Sequence, residues 1–398
     1  MANDLTFTQL STVLNSIMSQ ATGASAQAVV DTSSFVNVAQ TALKTGYDPL
    51  STAISQVLSR TIFSTRPYSA KFPMLRKTAQ QYGNHTRKLQ VVDKPFDDDP
   101  RFTLTEGVSV DMYKVNKPKV LQTNFYGSNV WKKYITIYRD QLDNAFSGPD
   151  EFASFLAMYV QNASDMIEQA HESTLRMTIA NFIAAKSLSD SVNCVNLLAE
   201  YNAYLGLTGG AGSEYKSLID IRQPDEYVAF TRWMFARINT YSDWLTERTV
   251  KYHLNITDNE ISRHTPKNKQ RLIIYAPEMN NIDASVLSNL YNTNYMNIGS
   301  YEKVNFWQAI DSPSSIKVTP SYINTSGEVV KGASTTMSNI VGVLFDDEAM
   351  GMTTVNEWSS ATPFNSDGGY YNQYYHFTDK YWNDTTENAI VFYLDDVG

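Results

Sequence analysis

Histidines, acidic runs and glycine-rich turns are where a chain of 398 residues would carry catalytic or metal-binding chemistry, and here each such constellation is incomplete. His171-Glu172 supplies the first half of a zinc-protease helix motif, but Leu175 occupies the place of the second histidine. His85, His253, His264 and His376 have no ligand spacing and read as hydrogen-bonding side chains of surface or core. Thr208-Gly209-Gly210-Ala211-Gly212 lacks the Gly-Lys-Ser/Thr ending of a phosphate loop and reads as a surface loop. Asp97-Asp98-Asp99-Pro100 lacks the spaced ligands and glycine of a calcium loop. It makes a good turn instead, because Asp side chains cap nearby N–H groups and Pro fixes φ. Asp346-Asp347 could act as an acid and a base, yet a strand-ending turn accounts for them more simply. Neither a Gly-x-Ser-x-Gly elbow nor a dinucleotide fingerprint is present. Cys194 is the single cysteine, so no intramolecular disulfide is available, and no base motif stands beside it to activate the thiol. These residues predict no enzyme, no metal and no cofactor.

Composition narrows the class further. A net charge of −9 argues against tight nucleic-acid binding, which needs clustered Lys and Arg, and suits a wall that holds DNA without sticking to it. The start, Met1-Ala2-Asn3-Asp4, lacks the basic and apolar blocks of a signal peptide, and no run reaches the length of a membrane span. The expectation is a protein made and used in a cytoplasm, without membrane contact. Aromatic residues make up 12% of the chain, led by 25 Tyr concentrated in the last third. Tyr joins apolar area to a polar tip, so this enrichment points to interfaces, or alternatively to sugar-binding surfaces.

The elements that would position these side chains can be read in order. Phe7, Leu10, Val13, Leu14 and Ile17 recur at helical spacing, as do Phe35, Val38, Ala42 and Leu43, then Leu50, Ile54, Val57, Leu58 and Ile62. Three short amphipathic helices follow, each needing a partner surface. From residue 87 the pattern turns extended, at 87–92, 102–115 and 119–125, with the acidic turn between. Ser147 or Gly148 then caps a helix opened by Pro149, Asp150 and Glu151. One apolar stripe from Phe152 to Ile183 carries it to about residue 187, roughly 58 Å at 1.5 Å per residue. Pro224 opens a second helix bearing Tyr227, Phe230, Met234, Ile238, Tyr241 and Leu245. Leu272-Ile273-Ile274-Tyr275 reads as a buried strand, Asp283 caps a short helix through Tyr291, and Val304, Phe306 and Trp307 read as another strand. Strands at 340–345, 369–377 and 389–393 are expected to form one small antiparallel sheet against the long helix. The fold class is α+β.

This order, with Tyr134-Ile135-Thr136-Ile137, Leu142-Asp143 and the helix from Pro149, resembles the major capsid proteins of tailed bacteriophages, the Hong Kong ninety-seven fold. Val343-Leu344-Phe345-Asp346, Tyr370-Tyr371-Asn372-Gln373-Tyr374-Tyr375-His376 and Asn388-Ala389-Ile390-Val391-Phe392 are similar to capsid proteins of small short-tailed phages. The resemblance implies an N-terminal arm over 1–82, an E-loop with the first P-domain strands over 83–146, and a spine helix over 147–190. It further implies an A-domain over 191–339 and returning P-domain strands over 340–398.

Such a subunit would build an icosahedral head around a phage genome, pairing with itself in pentamers and hexamers and enclosing DNA without sequence-specific binding. Scaffolding, portal and decoration proteins are the further partners implied, with assembly in the bacterial host cytoplasm. The E-loop would lie over a neighbour and bury Val91, Val92 and Phe102, while Asp97, Asp98, Asp99 and Arg101 set register at its rim. Two rival readings stand beside this one. An encapsulin-like compartment would keep the fold, although the helical arm and the large A-domain disfavour it. A glycan-binding or hydrolytic protein would instead use Tyr370, Tyr371, Tyr374, Tyr375 and Trp382.

Overall fold

A computed structural model describes residues 7–22, 32–44, 53, 71–77, 86–92, 101, 104–113, 115, 117–207, 214–257, 260–278 and 301–396. The acidic turn at 97–100, the third N-terminal helix apart from Ala53, the glycine-rich loop at 208–212 and the helix expected near 283–291 lie outside these residues.

Helices α1 (Phe7–Thr22) and α2 (Thr32–Lys44) bury Leu14, Ile17, Met18, Phe35, Val38 and Ala39. Both were too short to hold alone, and both find their partner in a longer helix. Phe35 meets Phe152 edge to face at 5.6 Å. After strands β1 (Thr86–Val91), β2 (Val120–Phe125) and β3 (Ser128–Tyr138) comes α3 (Arg139–Ala145), then α4 (Pro149–Ser189), 41 residues long. Its ends follow the sequence chemistry: Gly148 is the extended cap, Pro149 opens it, Asp150 and Glu151 sit in the first turn and Lys186 in the last.

Two cores share this rod. Its first half puts Phe152, Phe155, Tyr159 and Ala163 into a cluster with α1, α2 and the β3 side of a sheet. Its second half puts Leu175, Ile179, Phe182 and Ile183 against another sheet. A single helix of this length therefore ties two packing units together.

The strands expected to form one small sheet sort into two. Strands β11 (Ile340–Asp346) and β14 (Ala389–Tyr393) join β4 (Cys194–Asn196), β5 (Gln270–Tyr275) and β6 (Tyr301–Val304) in a five-stranded sheet of order β4-β14-β11-β5-β6. Its centre is antiparallel and its two edges are parallel. Both faces are covered. Ile273, Val343, Phe345 and Val391 face α4, while Leu272, Ile274, Leu344, Ile390 and Phe392 face α5 (Leu197–Tyr204) and α6 (Pro224–Trp244). That double burial is why these strands read as unbroken apolar runs.

The other sheet, β12-β13-β3, pairs β12 (Met350–Ala361) and β13 (Tyr370–Asn383) with β3. Alternation along β13 sends Tyr371, Tyr375 and Phe377 to the α4 side and leaves Tyr370, Tyr374 and His376 half-exposed. Small ribbons β7 (Ile316–Val318) with β10 (Thr335–Met337), and β8 (Ser321–Ile323) with β9 (Val329–Lys331), complete the described strands. Two more expectations shift. The strand expected at 304–307 ends at Val304, and residues 104–113 form no strand at all. A strand needs a bonded neighbour, and among the described residues this segment has none, its backbone closing a turn instead from Val108 N–H to the Thr105 carbonyl at 3.1 Å.

Candidate assembly surface

The chemistry-bearing residues come first, because the structure gives most of those it describes an architectural task; His85 lies outside the described residues. His171 is buried 3.5 Å from Asp379, while Glu172 grips Arg176 at 2.8 Å one helical turn away. Arg176 also lies over the Phe306 ring at 3.9 Å. His253 bonds Asn388 at 2.9 Å and the Ile261 carbonyl at 2.7 Å. Burial, with Arg263 nearby, pushes its pKa down to about 4. His376 stacks on Trp358 at 3.9 Å. Asp346 accepts from Thr265, and Asp347 pairs with Lys77 and Arg271. Burial raises the Cys194 thiol to about 12, far from a reactive thiolate. Among the described residues no three His, Cys, Asp or Glu side chains gather as a metal site, and no helix is long and apolar enough to cross a membrane.

What remains is a projecting ribbon. β1 and β2 pair antiparallel from Thr86↔Phe125 to Val91↔Val120, and Val92 N–H continues the ladder to the Lys119 carbonyl. Alternation divides the ribbon into two faces. Arg87, Leu89, Val91, Val120, Gln122 and Asn124 are exposed, whereas Lys88, Gln90, Leu121, Thr123 and Phe125 turn inward.

A buried charge cluster holds the inward face. Lys88 reaches Asp384 at 2.8 Å and also bonds Glu387, and Gln90 bonds Glu387 at 3.2 Å. Arg263 closes the ring, with 2.6 Å to Glu387 and 2.8 Å to Gln90. Asp384 is fully buried and also accepts from Thr386 N–H and Oγ1, so the turn at 384–387 presents its carboxylates rigidly. Burial alone would favour neutral groups here. For Lys88 the two carboxylates outweigh it and raise the ammonium pKa, and for Asp384 the Lys88 charge and Thr386 bonds hold the carboxyl below its usual range. Glu387 moves the other way, because burial and the neighbouring Asp384 outweigh its two cations. Both charges of the Lys88–Asp384 pair are therefore in place at neutral pH, and Glu387 is the first of the cluster to take up a proton on acidification.

Of the residues expected at an interface, Val91 lies on the exposed face with 62% of its surface free, Val92 is half-buried at the end of the ladder, and Arg101 is exposed. Asp97, Asp98, Asp99 and Phe102 fall outside the described residues. Beyond the ribbon, Leu104, Val108, Val110, Met112, Tyr113 and Val115 are all exposed. The sequence reading missed the latch of Lys88, Gln90, Arg263, Asp384 and Glu387. Only the acidic turn after β13 hinted at it. The five aromatic residues of the glycan reading are split by strand parity, with Tyr371 and Tyr375 buried on the face opposite Tyr370 and Tyr374.

The ribbon thus joins exposed apolar side chains to a root held by ion pairs. The same fold occurs in phage capsids. A chain of the capsid of Staphylococcus phage Andhra matches at a TM-score of 0.53 with 11% identity, covering 82% of this chain and 85% of that one. A chain from the structure of the head fiber and inner core protein gp22 of native bacteriophage P68 matches at 0.51 with 12% identity, over 82% and 85%. No curated protein matches in sequence. The chain belongs to the Phi29-like phage major capsid protein family, whose pattern runs through residues 11–393. It is a non-enzymatic component of the phage head shell and assembles there with copies of itself.

Proposed function

We propose that the chain forms the pentamers and hexamers of an icosahedral head by reaching over its neighbour with residues 83–146, an E-loop followed by the first P-domain strand. Residues 1–82 then serve as the N-terminal arm, 147–190 as the spine helix and 191–339 as the A-domain. Within 340–398, β12 and β13 return to the P-domain sheet, while β11 and β14 complete the A-domain sheet. Val91, Val92, Asp97, Asp98, Asp99, Arg101 and Phe102 form the subunit contact. Scaffolding, portal and decoration proteins are its further partners, DNA is enclosed without sequence-specific contact, and assembly takes place in the bacterial cytoplasm.

One observation carries this reading: the ribbon's inner face is fixed by buried ion pairs while its outer face and its connection leave large apolar side chains in water. Exposed apolar area of this extent marks a surface awaiting a partner. Deleting residues 91–102 is expected to leave a folded subunit by circular dichroism that gives no closed particles by electron microscopy. Closed particles from that deletion would remove the E-loop assignment.

A further inference from the structure

Beside the ribbon's root lies a cleft of about 630 Å³, walled by consecutive residues of two strands that belong to different ribbons. One wall is β2, from Leu121 to Phe125, and the other is β8, from Ser321 to Ile323; Ala185 of α4 and Trp382 of β13 contribute to its floor. Each wall is a strand edge. Among the described residues β2 is bonded only to β1, and β8 only to β9.

Ladder geometry shows which backbone groups face the gap. Val92 N–H bonds the Lys119 carbonyl, so the bonded pairs recur at 90/121, 88/123 and 86/125. Gln122 and Asn124 therefore direct their N–H and C=O groups away from β1. On the opposite wall, Asn324 N–H bonds Glu328 and Gly332 N–H bonds Pro320, which places 322/330 in the bonded set. Ser321 and Ile323 therefore point away from β9. None of these four residues has a backbone partner among the described residues.

We propose that this cleft receives an extended segment of a second copy of the chain, residues 107–110, as a strand bonded on both sides. The inserted strand would join two ribbons into one sheet, β1-β2-insert-β8-β9, which is strand addition between subunits. Val108 and Val110 alternate with Gly107 and Ser109, the period of a strand, yet the segment pairs with no strand among the described residues. In the free subunit Gly107 has φ +79° and Val108 N–H closes a turn on the Thr105 carbonyl, a turn that insertion would open, and Val108 is 66% and Val110 50% exposed. Charge fits the same assignment. Among the described residues no charged side chain lines the cleft, and 107–110 is an uncharged stretch bounded by Glu106 and Asp111, which would stay outside at its ends. A second copy is also a partner that the shell itself supplies. The inference rests on the reading of 83–146 as a reach toward a neighbour.

Hydrogen exchange on unmodified protein tests it, comparing free subunits with closed shells verified by electron microscopy. The amides of Gln122, Asn124, Ser321 and Ile323, together with those of 107–110, are expected to slow at least tenfold in shells. Closed shells with unchanged exchange at these amides overturn the docking and leave the assembly reading standing; failure of the protein to form shells at all overturns both. Identity of the occupant is read from a Cys194→Ser chain carrying Val110→Cys and Ser321→Cys. Oxidised shells are expected to give a ladder of covalent oligomers, and a crosslink that closes within isolated subunits would assign the cleft to the chain's own segment and refute the proposal.

Discussion

Replacing Lys88 by Met tests how the projecting ribbon is held. The Lys88 ammonium is 18% exposed and sits 2.8 Å from Asp384, which has no solvent access. At an effective dielectric near 20 the bare attraction at that separation is about 6 kcal/mol, before desolvation is subtracted. Removing one partner of a buried pair costs about 3–5 kcal/mol, because the other charge is left uncompensated. Asp384 keeps two bonds from Thr386, and Glu387 keeps Arg263, which places the expected loss near the lower end, about 3 kcal/mol at pH 7. Folded Asp384 has a depressed pKa, so its contribution is full above the ordinary carboxylate range and fades as pH falls toward the folded value. Without Lys88 that depression disappears, and the variant's deficit should shrink as pH is taken below the ordinary carboxylate value of about 4. Adding Asp384→Asn should recover at least half of the loss at pH 7, since no buried carboxylate is then unpaired. Urea unfolding at pH 7 and at about pH 3 gives the stabilities, and hydrogen exchange over residues 86–91 gives the local effect. A loss below about 1 kcal/mol, or unchanged exchange in β1, would refute the view that this cluster roots the ribbon.

Gly127, where the chain passes from β2 to β3, lies so close to β13 that a Cβ would stand 2.5 Å from the Tyr381 carbonyl oxygen. Gly127→Ala should therefore cost about 1–3 kcal/mol in urea unfolding and move the ribbon against the sheet; a neutral effect would mean the approach relaxes freely. His253 stays neutral in the folded chain down to about pH 4, whereas the unfolded chain takes up a proton near its ordinary value. Unfolded protein then binds more protons between those limits, so stability should fall by about 3 kcal/mol as pH drops through the window. His253→Gln should flatten that part of the urea midpoint curve, and parallel curves for the two proteins would count against the assignment.

Legibility followed the range of the interactions. The α4 ends were readable because capping is local: Pro149, Asp150 and Glu151 act within one turn of where they stand. The buried strands at 270–275, 340–346 and 389–393 were readable because double burial leaves continuous apolar runs. Their grouping was not. Nothing in Ile340 to Phe345 says that its neighbours are β5 and β14 rather than β13, since strand pairing is decided between segments far apart in sequence. Residues 104–113 show the converse case, in which the alternation of a strand is present and no described residue pairs with it as a strand.

The sequence by itself determined the long helix and its ends, the apolar strands and, through its pattern over residues 11–393, the capsid family. Tertiary structure alone decided which strands share a sheet, which tyrosines face water, and how Lys88 meets Asp384 across 296 positions of chain. Periodicity and capping act over a few residues and leave their mark in the letters, while a buried ion pair or an unfilled strand edge exists only once distant segments have packed.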